Sequence, residues 1–262
     1  MDIMSLIGLI ASVLLICYGM ADGGNILNFI ASGAVAVTVG GTFAALMLTF
    51  PLKVFASLPK MLSKIFFSGK YNLDPQHYAM VMTEVATEAK KNGVLSIDKK
   101  LPGFKNEFLR KSLQLAVDSE DPEDIREIME TELGYMIERH KDGVRFFEKG
   151  ATYAPGFGMI GTLSGLINMF AQTENPVGFN SVMAAALITA FYGLVLANVI
   201  FLPMGNKLRK MSGDEVLCRQ LIIEGTVAIA NGEPPKQINE KLMSYIPPEM
   251  RTPDKIKRKT GG

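Results

Sequence analysis

All 27 lysines and arginines of this 262-residue chain fall in residues 51–150 or 206–262. Between Ile3 and Phe50 the only charged residue is Asp22, and between Ala151 and Gly205 it is Glu174. No soluble fold needs that partition, but a bilayer imposes it, because about 20 apolar residues are required to cross ~30 Å of hydrocarbon. Each apolar block is long enough for two crossings. The first is interrupted at Asp22-Gly23-Gly24-Asn25 and the second at Gln172-Thr173-Glu174-Asn175-Pro176. The pattern predicts four spans, at about 3–21, 28–50, 150–171 and 181–204. It also explains how a mean hydropathy of +0.21 coexists with 20% charged residues.

Lysine and arginine accumulate on the cytoplasmic side of a membrane. The expected class is therefore an all-α membrane protein with four transmembrane helices and both termini inside. Residues 1–50 form a transmembrane hairpin and residues 51–149 an inserted helical cytoplasmic domain. Residues 150–205 form a second hairpin, and residues 206–262 a cytoplasmic tail helix with a basic end. A cleaved signal peptide would start with a basic region, whereas this chain starts with Asp2 and no base. Cys17 lies in a span and Cys218 in the tail, so no disulfide framework is implied. A net charge of +1 points to no nucleic-acid partner.

Helix signals organise the polar segments. Pro51, Pro59 and Gly69 punctuate the chain after the second span. Asp74-Pro75 starts a helix and Asn92-Gly93 stops it. A second runs from about Lys105 to Val117. Asp121-Pro122 starts a third, with an apolar stripe at Ile125, Ile128, Met129, Leu133, Met136 and Ile137. It continues into the third span, so Pro122 to Ala171 would be one helix of ~75 Å. The fourth span continues similarly from Lys207 to Ala230, and Asn231-Gly232 stops it. The stretch from Arg251 to Gly262 reads as a disordered end.

The run APGFGMIGTLSGL, residues 154–166, contains G-x-G-x-x-G, the spacing of a dinucleotide-binding turn. That fingerprint needs a preceding strand within a βαβ unit. Here the preceding residues are helical and no βαβ pattern exists. Gly158, Gly161 and Gly165 instead leave a helix face without side chains, onto which another helix can close.

Signs of an enzyme are missing. His77 and His140 have no ligand-spaced companions, and neither G-x-S-x-G nor a Walker sequence is present. No cofactor is implied. The third and fourth spans contain no Asp, Glu, Lys, Arg or His. Thr162 and Thr189 either back-bond to their own helices or line a polar path. Such a path cannot itself hold and release a proton at neutral pH, so a carboxylate would have to come from another chain. Pro155 and Pro203, near the inner ends of these spans, are either hinges or ordinary helix punctuation.

Residues 154–166, together with ALITAFYGLVLANVIFLP at 186–203 and Val39-Gly40-Gly41, resemble the flagellar stator A subunit, the MotA/PomA family. The resemblance covers about residues 1–245. It implies a homopentamer around two B subunits, each B helix supplying an ion-binding aspartate, and torque delivered to the rotor protein FliG from the inner membrane. It implies functional roles for Pro155 and Pro203 and places Thr162 near the ion. Thr189 matches the first of two adjacent threonines of sodium-driven members, and Ala190 stands where the second would be. Losing that hydroxyl, an oxygen ligand for a hard cation, favours protons. Lys90, Lys91 and Asp98 match a basic–Gly–Leu–acidic motif that touches the rotor, with Lys and Asp in place of the usual Arg and Glu. An ordinary solvated helix–turn is the plainer reading of that stretch. Ring subunits of the ExbB/TolQ type, which energise outer-membrane processes, are the alternative, although three spans would be typical of them. A solute transporter would show inverted repeats.

Overall fold

The structure, a computed structural model, describes residues 3–22, 24–66, 74–118, 121–171 and 176–251. Every regular element among them is helical. Gly23, the break at Gly69, the turn at Gln172-Thr173-Glu174-Asn175 and the basic stretch after Arg251 lie outside the described residues. The chain divides into two compact units, each built from two stretches. The first holds Met1–Tyr71 and Arg139–Lys210, the second Asn72–Glu138 and Met211–Gly262.

The first unit begins with α1 (Ile3–Asp22), a 3-10 turn at Ile26–Phe29, α2 (Ser32–Val35) and α3 (Gly41–Thr49). A π turn at Ala36–Gly40 joins α2 to α3. Then come α4 (Leu52–Phe66), the later part of α7 (Pro122–Ala171), α8 (Pro176–Val195) and the start of α9 (Leu202–Ala230). A second π turn, Leu196–Phe201, joins α8 to α9 just ahead of Pro203. Pro203 has no N–H to donate, and its ring collides with the carbonyl four residues back. A π turn admits an extra residue into the helix, and here it absorbs that collision. Pro155, by contrast, sits inside an unbroken α7.

Three described segments are long and apolar enough to cross a membrane: Met4–Asp22, Ser32–Thr49 and a stretch within Ser181–Ala230. The 150–171 part of α7 is not among them. Gly156, Gly158, Gly161, Gly165, Ser164 and Asn168 dilute its hydropathy.

The core of this unit gathers Leu46, Val54, Phe146, Phe147, Ala154, Ala197 and Phe201. The Phe146 ring meets Phe55 edge-on at 5.2 Å and Phe50 at 5.5 Å. Helix α4 is a departure from the sequence reading, which took Pro59 as punctuation. The structure carries the helix through Pro59. Phe55, Leu58, Met61 and Leu62 pack on the core beside buried Val54. Each apolar side chain removed from water contributes about 1.5–3 kcal/mol, and together they outweigh the ~3 kcal/mol cost of an interior proline.

The second unit contains α5 (Pro75–Asn92), a 3-10 segment Val94–Gly103, α6 (Glu107–Val117), the early part of α7, the later part of α9 and α10 (Pro235–Ser244). Its helices start where short polar side chains satisfy free N–H groups. The Asp74 side chain accepts from Gln76 N at 3.0 Å, and Asn106 accepts from Phe108 N and Leu109 N. Asp121 Oδ1 accepts from Glu123 N at 2.9 Å. Helix α9 ends in a Schellman arrangement. Gly232, at φ +70°, donates to Ile229 O, and Glu233 donates to Ala228 O. Met82, Leu113, Ile125, Met129, Leu221, Ile222, Ile238 and Leu242 form the centre of the core. Cys218 is buried beside them, and burial pushes its thiol up to about 12. It stays protonated and unreactive at neutral pH.

One ion cluster ties three helices of this unit. Glu224 on α9 accepts from Arg126 on α7 at 2.5 and 3.2 Å and lies 3.1 Å from Lys241 on α10. The Arg126 hydrogen bond, ahead of the other causes, holds the Glu224 carboxyl below its ordinary value of 4.5. A carboxyl lowered by folding contributes stability in full above its ordinary value and loses it as pH falls through the lowered one. Thermal unfolding of the extracted chain is therefore expected to show acid destabilisation beginning below about pH 4.5. Glu224→Gln should reduce that acid sensitivity; an unchanged pH profile in the variant would refute the assignment.

Candidate functional site

Small residues let α7 and α8 approach closely. A Cβ built on Gly165 would lie 2.5 Å from Ala186 Cβ, and one on Gly161 would lie 2.6–2.8 Å from the Thr189 side chain. One on Gly158 would lie 3.0 Å from Thr189 O and 3.2 Å from Ala190 Cα. One on Gly193 would lie 2.6 Å from Ala154 O and 3.2 Å from Pro155 Cα. Partner numbers fall on one helix as they rise on the other, so the two helices run antiparallel. Gly193 did not stand out in the sequence, although Ala186, Ala190 and Gly193 repeat at spacings of four and three.

Thr189 is buried at the middle of this crossing. Its hydroxyl donates to Ala186 O at 2.5 Å, and Ala185 O lies at 3.3 Å. Its backbone carbonyl accepts from the Thr38 hydroxyl at 3.2 Å, and Thr38 O accepts from Thr42 Oγ1 at 2.6 Å. Thr38 and Thr42 are both fully buried. The sequence reading had not singled them out. Their signal was two hydroxyls four residues apart flanking Gly40-Gly41 in an apolar block. Tyr192 OH donates to Phe29 O, and the Phe29 and Phe191 rings meet tilted at 57° with centroids 5.6 Å apart. The 3-10 turn, the first π turn and α8 are thus bonded around Thr189.

Thr162 is half-buried and donates to Met159 O of its own helix at 2.7 Å. Ala190 is half-buried beside Gly158, and Pro155 is half-buried beside Gly193. Pro203 is exposed just after the second π turn. Large side chains on α7 such as Met159, Leu163, Ile167 and Phe170 are more than half exposed. A face of that size marks contact with lipid or a partner.

In the second unit, Lys90 and Lys91 end α5 and are exposed. Gly93 follows at φ +82°, a conformation that disfavours any residue with a Cβ. Leu95 is 72% exposed and Asp98 is exposed on the following 3-10 segment. Glu88 fastens the two arms of this turn, accepting from Lys100 at 2.9 Å and Asn92 at 2.6 Å. The Lys100 bond, ahead of Asn92, lowers its carboxyl.

Apolar membrane-length helices with a buried, hydroxyl-lined crossing define a membrane-embedded helical protein whose crossing, among the described residues, carries no Asp, Glu, Lys, Arg or His. Residues 101–220 match the MotA/TolQ/ExbB proton channel family. The chain is 34% identical to motility protein A of Treponema phagedenis, covering 95% of each chain. It is 32% identical to chemotaxis protein PomA of Vibrio alginolyticus, covering 94% of this chain and 96% of that one. The flagellar MotAB stator complex of Bacillus subtilis contains a chain of the same fold, with a TM-score of 0.85 and 30% identity over 95% of this chain and 97% of that one. The chain belongs to the MotA/PomA family of flagellar stator subunits.

Proposed function

We propose that this chain is the A subunit of a proton-driven flagellar stator, with five copies surrounding two B subunits in the inner membrane. The observation that carries this is the Thr189 crossing. It offers buried oxygens and close backbone approach but no carboxylate, so the group that takes up and releases the ion comes from the B subunit. The solved relative is itself a MotAB complex. Ala190 beside Thr189 leaves one hydroxyl where sodium-driven relatives have two, which favours protons. The chain acts by conformational coupling and catalyses no covalent chemistry.

In this reading residues 150–171 form a fourth crossing. Their weaker hydropathy suits a helix that faces other helices more than lipid. Both termini and the polar segments are cytoplasmic, following the lysines and arginines. The turn carrying Lys90, Lys91, Leu95 and Asp98 meets the rotor protein FliG, presenting both charge signs around one exposed apolar side chain.

The test is swimming speed in cells whose only stator A subunit is this chain, together with native mass measurement of the extracted complex. Swimming should survive withdrawal of sodium and stop when a protonophore is added, and the mass should correspond to five A and two B chains. Swimming that tracks the sodium gradient would overturn the ion assignment; any other stoichiometry would overturn the ring.

A further inference from the structure

A cleft of about 470 Å³ opens in the first unit between α1, the end of α4 and the junction of the second π turn with α9. Gly8 and Leu9 of α1, Phe66 of α4, and Val199 form apolar walls, with Pro203 beside them. At its other end stand Asn206, Lys207 and Lys210. From Val199 to Lys210 is about 16 Å along a helix. The cleft is thus mostly apolar, with Ser5, Ser12 and Asn198 set among the apolar residues, and basic at one end.

We propose that this cleft binds one anionic phospholipid of the inner leaflet, its phosphate at Lys207 and Lys210 and an acyl chain over Gly8. The proposal rests on the four-span orientation given above, which places the start of α1 and the start of α9 together at the cytoplasmic face. Three features select this ligand. The volume falls in the range of sites that enclose small molecules. Open space remains over Gly8, where a Cβ would meet nothing within 4 Å. Helix α4 carries Lys53, Lys60 and Lys64 and no acidic residue, and its apolar stripe packs on the core. A basic amphipathic helix of that kind lies in the membrane interface and favours anionic lipid. A free phosphate would use the lysines and leave the apolar walls bare; a neutral lipid would do the reverse.

The lipid would touch Pro203 and the π turn that precedes it, so its presence bears on how freely that turn can relax. The site therefore offers leaflet composition a direct handle on the helix that carries Thr189.

The experiment uses the full chain, extracted from bacterial membranes in whatever assembly it leaves them. The assembly is exchanged into detergent holding equal amounts of phosphatidylglycerol and phosphatidylcholine, and retained lipid is counted by native mass spectrometry. The wild-type chain should retain phosphatidylglycerol preferentially. Lys207→Gln with Lys210→Gln should lower that preference by roughly fivefold per lysine, the usual strength of one basic residue at an anionic surface. Gly8→Phe, whose Cβ would meet nothing within 4 Å, should fill the cleft and lower retention of both lipids. Excess glycerol phosphate should displace neither. Equal retention of the two lipids by the wild type would overturn the proposal. So would a double variant that behaves as wild type, displacement by glycerol phosphate, or a Ser12→Cys variant that cross-links to a second copy in place of lipid. A chain recovered in the soluble fraction would sink the membrane orientation itself; an embedded chain with no preference would sink the lipid site alone.

Discussion

Gly193→Ala is expected to destabilise the extracted protein strongly and to abolish swimming. The new Cβ would sit 2.6 Å from Ala154 O, with Ala154 C and Pro155 Cα at 3.2 Å. All three are backbone atoms, so no side chain can rotate away and the helices must part. Overpacking of a filled interior costs about 1–3 kcal/mol or more. Parting the helices at Gly193 also pulls Thr189 away from Gly161, one turn along. Gly161→Ala should also destabilise, because Thr189 Cβ lies at 2.7 Å and stays in place when that side chain rotates. Gly156→Ala is the control, since its Cβ meets nothing within 4 Å. Thermal unfolding of the three variants in detergent, with swimming assays, gives the ranking. A Gly193→Ala protein as stable as Gly156→Ala would refute the close backbone approach.

Pro203→Ala is expected to stop swimming while leaving the protein in the membrane at normal level. Alanine restores the missing N–H and removes the ring from the Val199 carbonyl. The reason for the π turn at Leu196–Phe201 then disappears. A π turn holds one residue more than the α-helical turn it replaces. Relaxing it to α geometry rotates everything before it by about 100° and shifts it by ~1.5 Å relative to α9. Thr189 would leave the Gly161 face, and Thr38 would lose its carbonyl partner. Normal swimming by this variant, at normal abundance, would mean that packing alone holds the π turn and that the proline is incidental to it.

Much of the architecture was legible because its signals are local. The N-caps Asp74 and Asp121 and the stop at Asn231-Gly232 depend on a few adjacent residues, and the structure starts and stops helices there. Charge segregation exposed the apolar blocks for the same reason. What stayed hidden depends on partners distant in sequence. Helix α4 persists through Pro59 because Phe146 and its neighbours, some ninety residues away, bury its stripe. The 3-10 segment after Gly93 is fastened by Lys100 reaching back to Glu88. The spacing of Gly158, Gly161 and Gly165 was visible, but nothing in it says that Thr189 and Gly193 would face them. Thr38 and Thr42 read as ordinary small residues until α8 was placed beside them. The two π turns have no composition of their own, and only Pro203 after the second hinted at irregular geometry.

Helix α1 has a consequence for how the chain is made. None of its described side chains is buried, so it owes almost nothing to the rest of the protein for its place in the membrane. It is made well ahead of the helix across the cleft from Gly8, which begins about 190 residues later. At translation speeds of roughly 5–20 residues per second, that wall arrives about 10–40 seconds after α1. In the interval α1 lacks that wall, and its final docking there competes with lipid that already surrounds it. The cleft over Gly8 is where that competition leaves room for one lipid to stay.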